Sequence, residues 1–214
     1  MKLRSWFQLG LGLIGWSLLC AMIFVVVGFI GEGFELLGPL SCLPTYILFC
    51  GAIFAVLMSM TTYLSYLPLY LSLGSTRKEA WLGLHLMQLV LAAGCTAIAA
   101  LLCLILPGDP PRDLISLLPA ALLAILAFAK LGSAAGCIAL LFPKVGRALS
   151  VVLCTMFSGA AGFVGASAAM SFPDSFRLSL PGQATLIVGT VLAALLLVEL
   201  LFQRRALPRY EVRL

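Results

Sequence analysis

Residues 44–79 read PTYILFCGAIFAVLMSMTTYLSYLPLYLSLGSTRKE. From Pro44 to Leu73 no side chain carries a charge; the run then stops at Gly74-Ser75-Thr76, followed by Arg77, Lys78 and Glu79. At ~1.5 Å per residue such a helix is about 45 Å long, against a hydrocarbon core of about 30 Å. A helix of that length in water carries charge along one face. This one carries none, so its solvent is lipid. Its second half is polar along one side, where Ser59, Thr62, Tyr63, Tyr66 and Tyr70 follow helical spacing. That face is expected to turn from lipid toward a pathway or a neighbouring helix. Tyr66 and Tyr70 also suit the headgroup belt at the end of a span.

The rest of the chain shares this character. Of its 214 residues 63% are hydrophobic and 10% charged, with a mean hydropathy of +1.16. A soluble domain carries about 25% charged residues. Apolar runs fall at about 9–30, 44–71, 82–106, 115–142, 148–171 and 182–203, separated by Gly31-Glu32-Gly33, Gly74-Ser75, Pro107-Gly108, Pro143 and Pro173-Asp174. Each is long enough to cross a bilayer. The expected fold is all-α: a polytopic membrane protein, with residues 1–214 forming a single transmembrane domain of six helices. The run from Leu9 to Ile30 exceeds the h-region of a signal peptide and no A-x-A site follows, so it reads as the first span. Little length is left for a soluble domain, and any energy-coupling domain is expected on another chain.

Charge sets the orientation. With six spans both termini share one side, which holds Lys2, Arg4, Arg77, Lys78, Lys144, Arg147, Arg204, Arg205, Arg209 and Arg213. The other side holds Arg112 and Arg177, while Glu32, Glu35, Asp109, Asp113 and Asp174 lean the same way. By the positive-inside rule the termini are expected to be cytoplasmic. The net charge of +5 thus reads as topology rather than as affinity for nucleic acid. The outer turn at about 31–43 is apolar and Gly-rich, and is expected to dip into the outer leaflet against protein.

Few residues carry chemistry. There is no C-x-x-C among the seven cysteines and the one histidine, His85, has no clustered ligands near it in sequence, so no metal or catalytic site is expected. His85 reads as a packing residue. Lys130 and Glu199 are ionisable groups inside spans. Lys130 faces protein or water, as a contact for an anionic group, by snorkelling, or through backbone carbonyls. Glu199 reads as a cytoplasmic-edge residue near Gln203 and Arg204. Gly132-x-x-x-Gly136 in span four, and Ser158, Gly159, Gly162 and Gly165 in span five, are small-residue surfaces that let helices approach closely. After Gly74, Ser75 or Thr76 can cap a new helix, with Glu79 spaced for a capping box.

Leu73-Gly74-Ser75-Thr76-Arg77-Lys78 after a long second span resembles the first cytoplasmic loop of small permease subunits of bacterial type-2 ABC exporters, notably Gram-positive ones. Leu131-Gly132, Gly136, the turn Phe142-Pro143-Lys144-Val145-Gly146-Arg147 and the tail Arg209-Tyr210-Glu211-Val212-Arg213-Leu214 are similar to the same family, though Pro143 stands where its members more often carry a charge. The resemblance implies a second permease subunit, identical or related, and separate cytoplasmic ATPase subunits. It implies a coupling role for Gly74, Ser75, Thr76, Arg77, Lys78 and Glu79. It places ATP and Mg on the partner; no G-x-x-x-x-G-K-[ST] occurs in this chain. Candidate pathway or helix-contact residues are Ser59, Thr62, Tyr63, Tyr66 and Lys130. An ATP-independent transporter or channel, and a non-transporting scaffold or sensor, remain open on the residues alone.

Overall fold

A computed structural model describes residues 2–31, 40–72, 76–106 and 112–141, with single positions at 148, 152, 189, 190, 193, 194, 196, 197 and 201. The predicted fifth and sixth spans, Glu199, the apolar turn at 32–39, Gly74 and Ser75 lie outside the described residues, apart from those single positions. The described chain is helical almost throughout. Helix α1 is Lys2–Gly31 and α2 is Leu43–Thr61. A π segment, Thr62–Tyr66, continues α2 into α3, Leu67–Ser72. Helix α4 is Arg77–Ile105 and α5 is Arg112–Leu141. Four helical stretches are long and apolar enough to cross a membrane: Leu3–Ile30, Leu43–Leu69, Glu79–Ile105 and Leu118–Ala139. This is the architecture of a polytopic membrane protein.

Local chemistry sets the helix starts. Pro44 sits in the first turn of α2, where its missing N–H costs no intrahelical bond. Thr76, in extended conformation, caps α4. That helix begins five residues before the predicted span at 82, because a span is recognised by apolarity and a helix by its cap. Arg77, Lys78 and Glu79 therefore belong to the helix as well as to the loop that precedes the membrane.

The bundle is held by close approaches at small residues. A Cβ on Gly132 would lie 2.3 Å from the carbonyl oxygen of Val56, and one on Gly136 would lie 2.7 Å from Tyr63 Cβ. The two positions rise together, so α2 and α5 run parallel through this seam. Gly51 meets Cys95, and Ser59 meets Gln88, so α4 runs antiparallel to α2. Gly83 receives the indole of Trp6 and Gly94 receives Ile14, so α1 runs parallel to α4. Successive spans thus alternate in direction. Lipid chains are as apolar as leucine, so helices in a membrane gain little from hydrophobic burial against each other; shape-matched contact and polar bonds hold them together. Helices α2 and α5 are the more buried pair. Helix α1 leaves Leu11, Trp16, Leu19, Ile23 and Val27 exposed, and α4 leaves Leu82, Leu89 and Leu101 exposed.

Backbone cannot yield to a new methyl as a side chain can. Gly132→Ala is therefore expected to destabilise the bundle by about 1–3 kcal/mol, the usual cost of overpacking. Gly136→Ala meets Tyr63 at its Cβ, an atom fixed to the backbone, and should cost a similar amount, whereas Gly15→Ala, with nothing within 4 Å, should cost nothing measurable. Thermal unfolding of the three variants in one detergent checks the ranking.

Candidate functional site: a buried polar cluster between three helices

Ser59 comes from α2, His85 and Gln88 from α4, and Lys130 and Ser133 from α5. The spacing i, i+3 in both 85/88 and 130/133 puts each pair on one helix face, and the two faces meet. Ser59, Gln88, Lys130 and Ser133 are all buried; Lys130 is 5% exposed and Gln88 1%. His85 is half-buried.

The Gln88 carboxamide is the hub. Its Nε2 donates to Ser59 Oγ at 2.9 Å and to Ser133 Oγ at 2.8 Å, with the Ala129 carbonyl at 3.5 Å. Its Oε1 accepts from Lys130 Nζ at 2.6 Å. Lys130 Nζ also lies 2.5 Å from His85 Nδ1. These contacts fix the orientation of the amide and the tautomer of the ring. An ammonium only donates, so the oxygen of Gln88 faces it and the amide nitrogen faces the hydroxyls. With Lys130 as the charged donor, Nδ1 of His85 is the acceptor and the neutral imidazole carries its hydrogen on Nε2. The 3.4 Å separation of His85 Nδ1 and Gln88 Oε1 then brings two acceptors onto one ammonium. On its other side the imidazole meets Trp81 edge to face, with ring centroids 4.2 Å apart.

The cluster lies well inside the helices. Lys130 is about three turns, roughly 17 Å, from the end of α5, and His85 is roughly 12 Å from the start of α4. A charged residue at the centre of a span costs about 2.5–3.5 kcal/mol on insertion scales. Three helices spend side-chain bonds to hold this one. The Lys130 ammonium is held by the side chains of His85 and Gln88.

The α2–α5 seam beside the cluster has its own irregularity. Thr61 and Thr62 turn their hydroxyls back onto the carbonyls of Leu57 and Met58, at 2.7 and 2.6 Å. Bonds of this kind loosen the helical ladder. The Leu67 N–H reaches back five residues to the Thr62 carbonyl, and Pro68 follows with no N–H to give. A widened turn here relieves the clash that a proline imposes on the carbonyl four residues earlier. It leaves Thr62 and Tyr63 buried and Tyr66 half-buried, with Tyr63 against Gly136.

The residues singled out from sequence divide. Ser59 and Lys130 are in the cluster. Thr62 and Tyr63 pack in the seam, and Tyr66 stands at its edge. At the start of α4, Thr76 N–H donates to Glu79 Oε2 at 2.9 Å and Glu79 N–H donates to Thr76 Oγ1 at 3.2 Å, a reciprocal capping box. Arg77 and Lys78 contribute the backbone of the first turn. Gln88 and Ser133 escaped the sequence reading, and His85 was expected only to pack. Their signal was present as polar pairs three apart on otherwise apolar helices. No group of three or more His, Cys, Asp or Glu able to hold a metal occurs among the described residues. No protein family, curated protein or solved structure matches the chain.

The hub predicts an unequal mutational cycle. Gln88→Leu takes one of the two acceptors described here from a buried ammonium and is expected to cost about 3 kcal/mol. Lys130→Met strands only neutral acceptors and should cost about 1–3 kcal/mol. The double variant should be at least about 1 kcal/mol more stable than the two losses added together, because each strands what the other removes. Ser59→Ala should cost about 0.6 kcal/mol, the mean for interhelical hydrogen bonds in membranes. Equilibrium unfolding in mixed micelles supplies all four values.

Proposed function

We propose that the chain is the permease subunit of a bacterial type-2 ABC exporter, lying multi-pass in the cell membrane with both termini in the cytoplasm. It pairs with a second permease subunit and takes its energy from separate ATPase subunits, which bind the ATP and Mg. The observation that carries this reading is the Thr76–Glu79 capping box opening a 29-residue helix. A capped end stays folded under load, whereas an uncapped terminus frays. Basic residues in a first turn oppose the helix dipole. Arg77 and Lys78 there give a positive tip whose cost an acidic docking groove would offset. Helix α4 runs unbroken from that tip to His85 and Gln88, so displacement of the tip by an ATPase moves the polar cluster with it.

Charge reversal in the double variant Arg77→Glu/Lys78→Glu is expected to abolish co-purification of the ATPase subunit from native membranes while leaving the chain inserted. Retained ATPase binding would overturn the coupling assignment. A second reading, a transporter that works without ATP, draws on the ionisable pair Lys130 and His85 inside the bilayer. Reconstituted vesicles separate the two: flux that follows an imposed proton gradient and ignores ATP supports the second.

A further inference from the structure

We propose that His85 and Lys130 form an intramembrane proton-binding site, at which uptake of one proton by the imidazole opens the His85–Lys130 contact while Gln88 still joins α4 to α5. The inference follows from the count of hydrogens. Lys130 Nζ and His85 Nδ1 are 2.5 Å apart, a hydrogen-bond separation that requires one nitrogen to donate and the other to accept. An ammonium donating to a bare Nδ1 satisfies that geometry. If Nδ1 also gains a proton, two donors and two positive charges face each other. The contact then opens, because neither nitrogen retains a lone pair for the other. Proton and charge balance are simple: one proton enters from water, Nδ1 becomes N–H, and the pair goes from one positive charge to two.

His85 is the half-buried member of the cluster and lies toward the start of α4, whereas Lys130 and Gln88 are buried. The imidazole already touches Trp81, in a T-shaped contact. Among the described residues, the other ionisable groups on the packed elements are of different kinds. The π segment brings the phenols of Tyr63 and Tyr66, α2 the phenol of Tyr46 and the thiol of Cys50, α5 the thiol of Cys137, and α1 the exposed guanidinium of Arg4, two residues before the Trp6 that meets α4 at Gly83. Glu79, about a turn and a half before His85 on α4, has its carboxylate on the Thr76 N–H. It attracts an imidazolium, whereas Arg77 and Lys78 of the same turn and Arg4 on α1 oppose one. Once His85 leaves, Gln88 alone of these contacts ties the Lys130 ammonium to α4.

The chain has one histidine, so labelling histidine with ¹⁵N reports one imidazole in the full-length protein in lipid vesicles. At neutral pH the expected spectrum shows Nδ1 without a proton and Nε2 with one. On acidification both nitrogens become protonated, and in a sample labelled at lysine as well the Lys130 Nζ resonance, identified as the one absent from Lys130→Arg, moves in the same step. In Lys130→Met the histidine titrates at a different pH from the native chain. A protonated Nδ1 at neutral pH would overturn the proposal. So would one titration curve shared by both chains. If Lys130→Met fails to fold, the Nδ1 state and the Lys130 response in the native chain decide the matter. None of these readings involves ATP or transport, so their outcome is independent of the proposed exporter role.

Discussion

The structure turns on one requirement: an ammonium held inside a membrane span must be given acceptors. Lys130 is too far from either end of α5 for its side chain to reach an interface. The bilayer offers no water to complete its bonds. The acceptors must therefore come from neighbouring helices, and they come from Gln88 and His85 on α4. The amide that accepts from Lys130 has two N–H groups left over, and these must be placed in turn. Ser59 and Ser133 receive them. One buried charge thus specifies the register of three helices. A purely apolar seam could slide by a turn at small cost; this one cannot.

Such bonds need helices that lie close, and glycine provides the closeness. Gly132 admits the Val56 backbone directly and Gly136 admits the Tyr63 side chain, so α5 offers only backbone at both points. Ser133 sits between these two glycines and Lys130 just before them. The polar cluster and the small-residue seam are therefore parts of one surface. The π segment belongs to it too. It adjusts the phase of α2 beyond Met60, so that Tyr63 meets Gly136 after Ser59 has already met Gln88.

Different parts of this arrangement were legible in the sequence to different degrees. Apolarity and length gave the four described spans, since both follow from the thickness of a bilayer. The Thr76–Glu79 cap was legible as one of two choices because its spacing is local. The Gly132/Gly136 pair announced a close contact without naming its partner. Lys130 announced a need for partners, again without names. Gln88 stayed hidden for a physical reason. A lone glutamine in an apolar helix is unremarkable until the lysine it serves is known to lie opposite, and that depends on a pairing between residues 42 apart in the chain. Helix starts were read late for a related reason: hydropathy reports where lipid begins, whereas the hydrogen-bond ladder of α4 begins at its cap.

The cap and the cluster sit on one rod, and this joins the two halves of the structure. Helix α4 has no break between Arg77 and Ile105. Its α2 counterpart is interrupted by the π segment, which can absorb a change in phase. A displacement at the Thr76 end therefore travels along α4 more directly than along α2. It arrives first at His85, whose contact with Lys130 depends on a single proton, and then at Gln88, whose bonds reach both neighbours. The fold places its most easily altered contact nearest the capped tip and its most heavily bonded one about a turn deeper. Whatever moves α4 can open the first while the second keeps the bundle together.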